Sequence, residues 1–326
     1  MFRQFEKYIE KYSLISNGDR IVIAVSGGVD SMVLLHMLSK ICPILNLRVT
    51  VAHVNHNLRG SASDKDEKFV RNASAAYKFN YYSSTWKSPA KKNIQDAARK
   101  FRYDFLMKTA SKVGANLIAT AHHMDDQAET IILQISRGTG LSGLGGIPSC
   151  TKINKTISIV RPMLDFSRRD IEKYAKNFRV DYRNDLSNKK TKYKRNKIRH
   201  EVIPMLELIN PKIKESLSAI AETARDTMLT INFITKQFAE ANFKIKNKKI
   251  IWNRPDFIEL PDELRCQIII EAFRSVKGDK KDLNYDQIKH IDQLSIGKNK
   301  KSQYMLPKNY RFVRDNDTLS IFRLTS

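Results

Sequence analysis

Short apolar runs alternate with longer amphipathic stretches through the first half of the chain. The run IVIAV at 21–25 predicts a strand, and VDSMVLLHMLSKI, a few residues later, has the broad apolar face of a helix. The pattern then repeats, with strands predicted at 48–54, 80–86, 117–122 and 157–164 and helices at 64–79, 93–114, 125–137 and 168–179. Strands alternating with helices of this length predict βαβ units. We therefore expect an α/β fold, doubly wound around a mainly parallel sheet.

The pattern changes after Ile203-Pro204. Asn210-Pro211 is a favourable helix start, and apolar residues then recur every three or four positions as far as Phe238. This spacing predicts one long amphipathic helix. The remaining predicted elements are helices at 261–276 and about 284–294 and a strand pair at 310–315 and 318–323. We expect two domains, 1–208 and 209–326, of which the second is smaller and mainly helical.

Basic residues far outnumber acidic ones. The 326 residues include 58 Lys and Arg against 34 Asp and Glu, and the net charge of +24 divides into +17 for 1–209 and +7 for 210–326. Such an excess points to a polyanion, either nucleic acid or an anionic membrane surface. The densest patch, SNKKTKYKRNKIR at 187–199, contains seven basic residues and no acid. It is either a solvated face or a phosphate-backbone contact, with Tyr193 available to stack on a base.

Cysteine spacing and the lengths of the apolar runs exclude several classes of protein. Cys42, Cys150 and Cys266 include no CxxC pair, which disfavours a disulfide framework, a zinc ribbon and a cysteine-ligated cluster. No stretch approaches the ~18 apolar residues of a membrane span. Residues 1–14 contain no uninterrupted apolar signal segment. We expect a cytoplasmic protein without a membrane partner.

The hexapeptide Ser26-Gly27-Gly28-Val29-Asp30-Ser31 lies between the first predicted strand and its helix. It is neither a Walker P-loop nor the GxGxxG of dinucleotide folds. Its glycines would let the backbone approach a phosphate, and its amides and serine hydroxyls would hold the negative charge. The carboxylate of Asp30 beside phosphates implies magnesium or another compensating charge. The alternative is an ordinary turn between a strand and a helix.

A second group of chemical residues lies in HHMDDQAET. His122 and His123 end a predicted strand, while Asp125, Asp126 and Glu129 open a helix. Asp126 and Glu129 are three apart, so they share a helix face and suit a substrate with amino groups. Two alternatives remain: acids that only complement the helix dipole, or a metal site formed by His122, His123 and Asp126.

Five of the twelve glycines lie in 138–146, GTGLSGLGG. This composition predicts a flexible loop rather than a regular element. The loop is either a simple turn or a mobile cover over a site at the edge of the sheet.

Six segments occur in the order found in one enzyme family. SGGVDS resembles the pyrophosphate loop, or PP-loop, of the ATP pyrophosphatase superfamily. Five later segments narrow the resemblance to the bacterial tRNA(Ile)-lysidine synthetases: HVNHNLRG at 53–60, TAHHMDDQAET at 120–130, RGTGLSGLGGI at 137–147, RPML at 161–164 and YKRNKIRHEVIP at 193–204. The resemblance is strong over about 21–204 and general over 205–326. It implies an adenine-nucleotide α-hydrolase-like catalytic domain over 1–208 and a tRNA-binding accessory domain over 209–326.

The family converts the wobble cytidine, position 34, of the CAU-anticodon isoleucine tRNA into lysidine. ATP adenylates the C2 oxygen with release of pyrophosphate, and the neutral ε-amine of free L-lysine then displaces AMP. The resemblance therefore implies a ligase that uses ATP, Mg²⁺, L-lysine and tRNA(Ile).

The resemblance also implies roles for individual residues. ATP is expected on Ser26, Gly27, Gly28, Val29, Asp30, Ser31 and His53, with Mg²⁺ held by Asp30 through the phosphates. Lysine is expected on Asp126 and Glu129. The expected catalytic residues are Asp30, Arg102, Asp126 and Arg195, and the expected tRNA contacts are Lys190, Lys192, Lys194, Arg195 and Arg199.

Several of these residues have simpler interpretations. Arg99 and Arg102 lie three apart on a helix, where either could be a surface arginine in an ion pair; the resemblance favours Arg102 as the phosphate contact. His53 and Asn55 would lie near adenine and ribose, although a lone histidine is more often a satisfied core residue. By the same resemblance, Arg59 and Gly60 would begin a loop toward the substrate.

Two rival classes of protein remain. Another PP-loop enzyme, either a tRNA thiolase or a small-molecule amidating enzyme, would share the loop. However, thiolation normally needs a reactive cysteine or a cluster, and amidation does not explain a charge of +24. A non-catalytic RNA-binding protein would explain the charge but not Asp30. The sequence leaves the oligomeric state open, a homodimer included.

Overall fold

The structure is a computed structural model that describes residues 1–57, 60–87, 94–183, 194–246, 248–278 and 283–324, with only the backbone of Ser61 and Gln95. These residues form two compact units, Met1–Arg225 and Asp226–Ser326. The division falls inside a long helix, downstream of residue 208. The functional boundary at 208 stays a prediction.

The first unit alternates strands and helices as the apolar pattern predicts. Its strands are β1 (Arg20–Ala24), β2 (Arg48–Asn55), β3 (Asn80–Thr85), β4 (Leu117–Ala119), β5 (Cys150–Lys152) and β6 (Ser158–Val160). Its helices are α1 (Phe2–Lys11), α2 (Val29–Ile41), α3 (Ser61–Ala76), α4 (Ile94–Val113), α5 (Met124–Ile135), α6 (Leu141–Leu144), α7 (Arg168–Asn177), α8 (Lys194–Lys197), a π-helix (Ile198–Val202) and α9 (Ile203–Ile209). The long helix α10 (Ile213–Asn242) follows.

The strands form one sheet in the order β3-β2-β1-β4-β6-β5. The pairs β1–β2, β1–β4, β2–β3 and β4–β6 are parallel, and the edge strand β5 runs antiparallel to β6. This arrangement confirms the predicted fold class. The strand order reverses between β1 and β4, and doubly wound folds bind ligands in the crevice beyond the carboxyl ends of the strands at this point.

Successive side chains of β1 pack on opposite faces of the sheet. Ile21 and Ile23 belong to the apolar cluster that contains Leu34 of α2. Val22 instead packs with Leu106 of α4. Because helices cover both faces, successive positions Ile21, Val22 and Ile23 are all buried, which explains the uninterrupted apolar run there.

Part of the glycine-rich stretch is helical, so the prediction of a loop throughout 138–146 was wrong. Gly140 has the extended backbone of an N-cap, and α6 follows it for one turn. Leu144 packs against a buried apolar cluster, which stabilises this turn. Strand β5 was not predicted because its side chains, Cys-Thr-Lys, carry no apolar run.

The second unit contains an antiparallel sheet packed against helices. The strands are β7 (Lys244–Lys246), β8 (Lys249–Asn253), β9 (Lys301–Leu306), β10 (Tyr310–Asp315) and β11 (Thr318–Arg323), and the helices are α11 (Arg254–Ile258), α12 (Asp262–Lys277), α13 (Tyr285–Ile296) and a 3₁₀ turn (Pro307–Asn309). The sheet order is β7-β8-β11-β10-β9. Helices contain more of this unit than strands do, as predicted, and the predicted strand pair is β10–β11.

Strands β7 to β9 were not predicted, because lysines interrupt or flank their short apolar stretches. The core of the second unit contains large buried aromatic side chains, among them Trp252, Phe257, Phe273 and Phe312. None of the described helices, in either unit, is long and apolar enough to cross a membrane.

Candidate active site at the carboxyl ends of the strands

A cavity of about 320 Å³ lies beyond the carboxyl ends of β1, β2 and β4. The polar residues that line it are Ser26, Asp30, Ser31, His56, Arg99, Arg102, Thr120, His122, Asp126 and Arg195. The fold thus brings segments that are far apart in sequence to the crevice where the strand order reverses.

The hydroxyl of Ser31 holds the glycine loop in its curve. It accepts hydrogen bonds from the N–H groups of Ser26 (3.1 Å) and Gly27 (3.2 Å) and donates to the carbonyl of Gly28 (2.9 Å). Gly27 has φ +94°, and a Cβ there would lie 3.3 Å from Val70, so the position favours glycine. The loop is therefore a fixed turn that leads into the amino end of α2, a geometry suited to anions.

Asp30 combines one paired and one unpaired carboxylate oxygen. Its Oδ2 accepts a hydrogen bond from Nη1 of Arg168 at 2.7 Å. Its Oδ1 is buried without a hydrogen-bond partner, 3.8 Å from Nε2 of His123. Burial raises the pKa of Asp30, opposed by the charges of His123 and Arg168. A carboxylate oxygen of this kind is a ligand that Mg²⁺ prefers, so Asp30 is the residue that could hold this ion.

A metal site built only from protein side chains finds no support in the described part of the chain. No group of three or more His, Cys, Asp or Glu residues there is arranged to hold a metal ion. The alternative site of His122, His123 and Asp126 is therefore absent from the described residues.

Two histidines with depressed pKa values line the cavity. His122 shares a hydrogen bond of 2.9 Å with Thr120, and burial lowers its pKa to about 3. Burial and the charge of Arg102 lower the pKa of His56 to about 4. Both rings are therefore neutral near pH 7.

His123 lies among three carboxylates at the start of α5. Its ring nitrogens are 3.5 Å from Asp126, 3.6 Å from Asp125 and 3.8 Å from Asp30. Burial lowers the pKa of His123, but the surrounding carboxylates outweigh this effect and the pKa is raised. This histidine therefore favours the charged form, unlike His122 beside it.

Glu129 is fully buried and is neutralised by two arginines. Arg195 Nε lies 2.6 Å from its Oε2, and Arg199 donates to Oε1 at 2.5 Å and to Oε2 at 3.1 Å. Arg195 Nη2 also lies 2.8 Å from Oδ1 of Asp126. One guanidinium thus bridges the two carboxylates that the sequence assigns to lysine.

Arg195 lies in α8, and Arg199 lies in the π-helix that follows it directly. They are four residues apart, so they project from the same side of the helical stretch.

Two opposing effects act on the carboxyl of Asp126. Burial by itself raises its pKa, but the charges of His123 and Arg195 outweigh burial, and the pKa is lowered.

Asp125 has a structural role. Its carboxylate lies 2.6 Å from Nζ of Lys214 and accepts the backbone N–H of Arg168 at 2.8 Å. Burial raises the pKa of Asp125, but the partners His123 and Lys214 hold it well below its usual range. This residue therefore ties α5 to α7 and α10.

The histidine assigned to the nucleotide by sequence is not the one that lines the cavity. His53 is buried and bonds the carbonyl of Val25 at 2.8 Å, and Asn55 donates to Asp64 and Glu67. His56 lines the cavity instead. The alternation of strand side chains was the available signal, because Ala52, Val54 and His56 lie on one side and His53 and Asn55 on the other.

The remaining predicted residues fall in different places. Arg99 and Arg102 both line the cavity, with their guanidinium carbons 5.0 and 5.5 Å from the ring of Tyr103. Lys194 is exposed at the start of α8, and Gly60 is exposed before α3. Arg59, Lys190, Lys192 and Tyr193 lie outside the described residues.

Comparison with known proteins first gives a class. Residues 1–206 match the PP-loop domain family. Among solved structures, the U34-tRNA thiolase NcsA from Methanococcus maripaludis, with its [4Fe-4S] cluster, superposes with a TM-score of 0.58 at 17% identity, over 68% of this chain and 77% of that one. The likeness of fold and the glycine loop define a PP-loop protein.

Curated relatives narrow the class. The tRNA(Ile)-lysidine synthase of Chlorobaculum tepidum is 39% identical over 250 residues, which cover 74% of this chain and 73% of that protein. The enzyme of the same name from Geobacter sulfurreducens is 31% identical over 99% of this chain and 69% of its own, and that of Clostridioides difficile is 33% identical over 95% and 68%. This chain belongs to the tRNA(Ile)-lysidine synthase family.

We predict that His56→Gln makes the protein less sensitive to acid. The folded state lowers the pKa of His56 from 6.5 to about 4, so between these values the unfolded chain binds the proton more readily and the free energy of unfolding falls as pH falls. The substitution removes this linkage. Denaturant titrations from pH 7 to pH 4 should give a shallower dependence for His56→Gln than for the wild type. The exposed His200→Gln is the control, and parallel curves for wild type and His56→Gln would contradict the prediction.

Proposed function

We propose that this protein is an ATP-dependent ligase that joins L-lysine to C2 of the wobble cytidine, position 34, of CAU-anticodon tRNA(Ile). The products are lysidine, AMP and pyrophosphate. The observation that carries the proposal is one cavity lined by the glycine loop, Asp30, Asp126 of α5 and Arg195 of α8, where Arg195 also pairs with the buried Glu129. Relatives that carry the synthase name over almost the whole of this chain support it.

The glycine loop and the residues facing it account for adenylation. The glycine loop and the amino end of α2 would hold the pyrophosphate, and Oδ1 of Asp30 would hold Mg²⁺. When bound, this ion neutralises charge that develops on the phosphates. Arg99 and Arg102 line the same cavity, where a guanidinium would pair with phosphate oxygens of ATP or of the adenylated cytidine.

The cluster on α5 and α8 suits a zwitterionic amino acid. Asp126 and Glu129 supply two negative charges, and Arg195 and Arg199 supply two positive ones. The α-carboxylate of a bound lysine can take the place of an aspartate or glutamate carboxylate beside an arginine of the cluster. An amine of the lysine can take the place of an arginine beside one of the acids. Because the exchange conserves charge, it avoids leaving an ion buried and unpaired. Asp126, which faces the cavity, is placed to take the proton that the attacking ε-amine must lose.

The basic stretch at 187–199 would bring the RNA to this cavity. It ends at Arg195 and Arg199, so a phosphate backbone held by its lysines would lie beside the reacting groups. An anticodon loop presents unstacked bases, which makes C2 accessible without duplex opening. The domain at 209–326 is proposed as a second tRNA contact, and the proposed substrate places the protein in the cytoplasm. A homodimer stays a prediction.

Asp30→Ala should abolish tRNA-dependent ATP–pyrophosphate exchange, because the loop loses its magnesium ligand. Affinity for tRNA, measured by filter binding, should stay within a few fold of the wild type. Asp104→Ala, which removes an exposed acid on α4, is the matched control and should keep full exchange. Exchange retained by Asp30→Ala would remove Asp30 from the mechanism and favour a non-catalytic RNA-binding protein.

Glu129→Gln and Asp126→Asn should raise the KM for lysine about tenfold, the effect of weakening one charged hydrogen bond. The KM for ATP should change less than about twofold, because the phosphates are expected on other elements. The control is Glu201→Gln, which removes one negative charge from an exposed side chain of the π-helix. If the substitutions raised the KM for ATP as much as the KM for lysine, the assignment of the lysine site would be refuted.

Replacement of Lys190, Lys192 and Lys194 by Ala should weaken tRNA binding and flatten its salt dependence. Each lost phosphate contact lowers the slope of log K against log[salt] by roughly 0.7 to 0.9. The control replaces the exposed Lys100, Lys108 and Lys112 of α4, which removes the same charge elsewhere. An unchanged slope in the first variant would make the stretch a solvated face.

A further inference from the structure

The helix α10 contacts the glycine segment, defined here as residues 138–147. Arg225 Nη1 donates a hydrogen bond of 2.6 Å to the carbonyl of Gly145 and a longer one of 3.4 Å to that of Ile147. A Cβ at position 145 would lie 3.0 Å from Cγ of Arg225. The absence of a side chain at Gly145 therefore lets the arginine lie directly against the backbone.

Gln127 of α5 holds the other side of the same segment. Its Oε1 accepts the N–H of Ile147 at 2.6 Å, and its Nε2 donates to the carbonyl of Ile147 at 3.3 Å. Gly146 has φ +58°, and a Cβ there would lie 2.6 Å from Oε1 of Gln127. Gln127 is 1% exposed. The carbonyl of Ile147 is thus shared between a side chain of α10 and a side chain of α5.

Apolar packing and a second ion pair strengthen this connection. Leu144 of the glycine segment packs on the cluster that contains Ala128 of α5 and Leu217 of α10. Lys214, at the first turn of α10, lies 2.6 Å from Asp125. The part of α10 within the first unit therefore braces α5 at both its start and its middle.

We propose that Arg225 is a positioning residue, which clamps the glycine segment onto α5 and so fixes the helix that carries Asp126, which lines the cavity, and Glu129, which is buried beside Arg195. Gln127 lies between these two carboxylates in sequence and is hydrogen-bonded to Ile147. If Ile147 can move, α5 can rotate about its axis, and both carboxylates move with it. The glycine loop at 26–31 follows β1, and none of its described hydrogen bonds goes to Arg225, Gln127 or the glycine segment. Loss of the clamp should therefore affect the lysine site and spare the ATP site.

The test compares Arg225→Met with Lys212→Met, which removes the same charge from an exposed position at the start of α10. Hydrogen exchange of the amides in 138–147 should become about tenfold faster in Arg225→Met, as expected when a charged donor to backbone carbonyls is lost. It should be intermediate in Arg225→Lys, which keeps one donor, and unchanged in Lys212→Met. Unchanged exchange in Arg225→Met would overturn the clamp. If that variant does not fold, exchange in Arg225→Lys decides in the same way.

The kinetic measurement rests on the proposed function. The KM for lysine should rise about tenfold in Arg225→Met and less in Arg225→Lys, while ATP–pyrophosphate exchange stays within twofold of the wild type. Faster amide exchange with an unaltered KM for lysine would overturn the role of the clamp in the reaction. An equal loss of lysine transfer and of ATP–pyrophosphate exchange would overturn it too. If the wild type incorporates no lysine, the proposed function fails, and the amide exchange still decides whether the clamp exists.

Discussion

Pairing of the buried carboxylates at the start of α5 is the constraint on which the arrangement of the first unit depends. An ion removed from water is destabilising by several kcal/mol unless a counter-charge meets it in good geometry. Asp125 is paired with Lys214 of α10, and Glu129 with Arg195 of α8 and Arg199 of the π-helix. Asp30 of α2 is met in the same way by Arg168 of α7. Each acid thus fixes an element that is distant in sequence, next to the cavity that Asp30 and Asp126 line.

The same pairing relates the overall charge to the chemistry. The net charge of +24 suggests a surface that attracts a polyanion. The site itself is nearly balanced, because Asp126 and Glu129 of α5 pair with Arg195 of α8 and Arg199 of the π-helix. A balanced cluster can exchange its internal ion pairs for ion pairs with a bound zwitterion. The basic surface can hold RNA at the same time. These two properties, in one chain, are what a ligase joining an amino acid to tRNA requires.

The sequence predicted the parallel sheet, the glycine loop and the shared face of Asp126 and Glu129, because these depend on local periodicity. It did not predict which side chains pair with the acids. Arg168 and Lys214 meet their carboxylates across long stretches of chain, and no local pattern encodes such a contact. The family resemblance implied His53 at the nucleotide, whereas the alternation of side chains along the strand puts His56 in the lining of the cavity. The polar strands β5 and β7 were missed because backbone pairing, rather than apolar side chains, holds them.

The most direct test of the central claim is the transfer of labelled lysine to RNA. Purified protein is incubated with ATP, Mg²⁺, labelled L-lysine and the CAU-anticodon isoleucine tRNA, and the RNA is digested to nucleosides. We expect label in one nucleoside, derived from the wobble cytidine, and none when ATP is omitted. ATP hydrolysis or RNA binding without label in the RNA would contradict it.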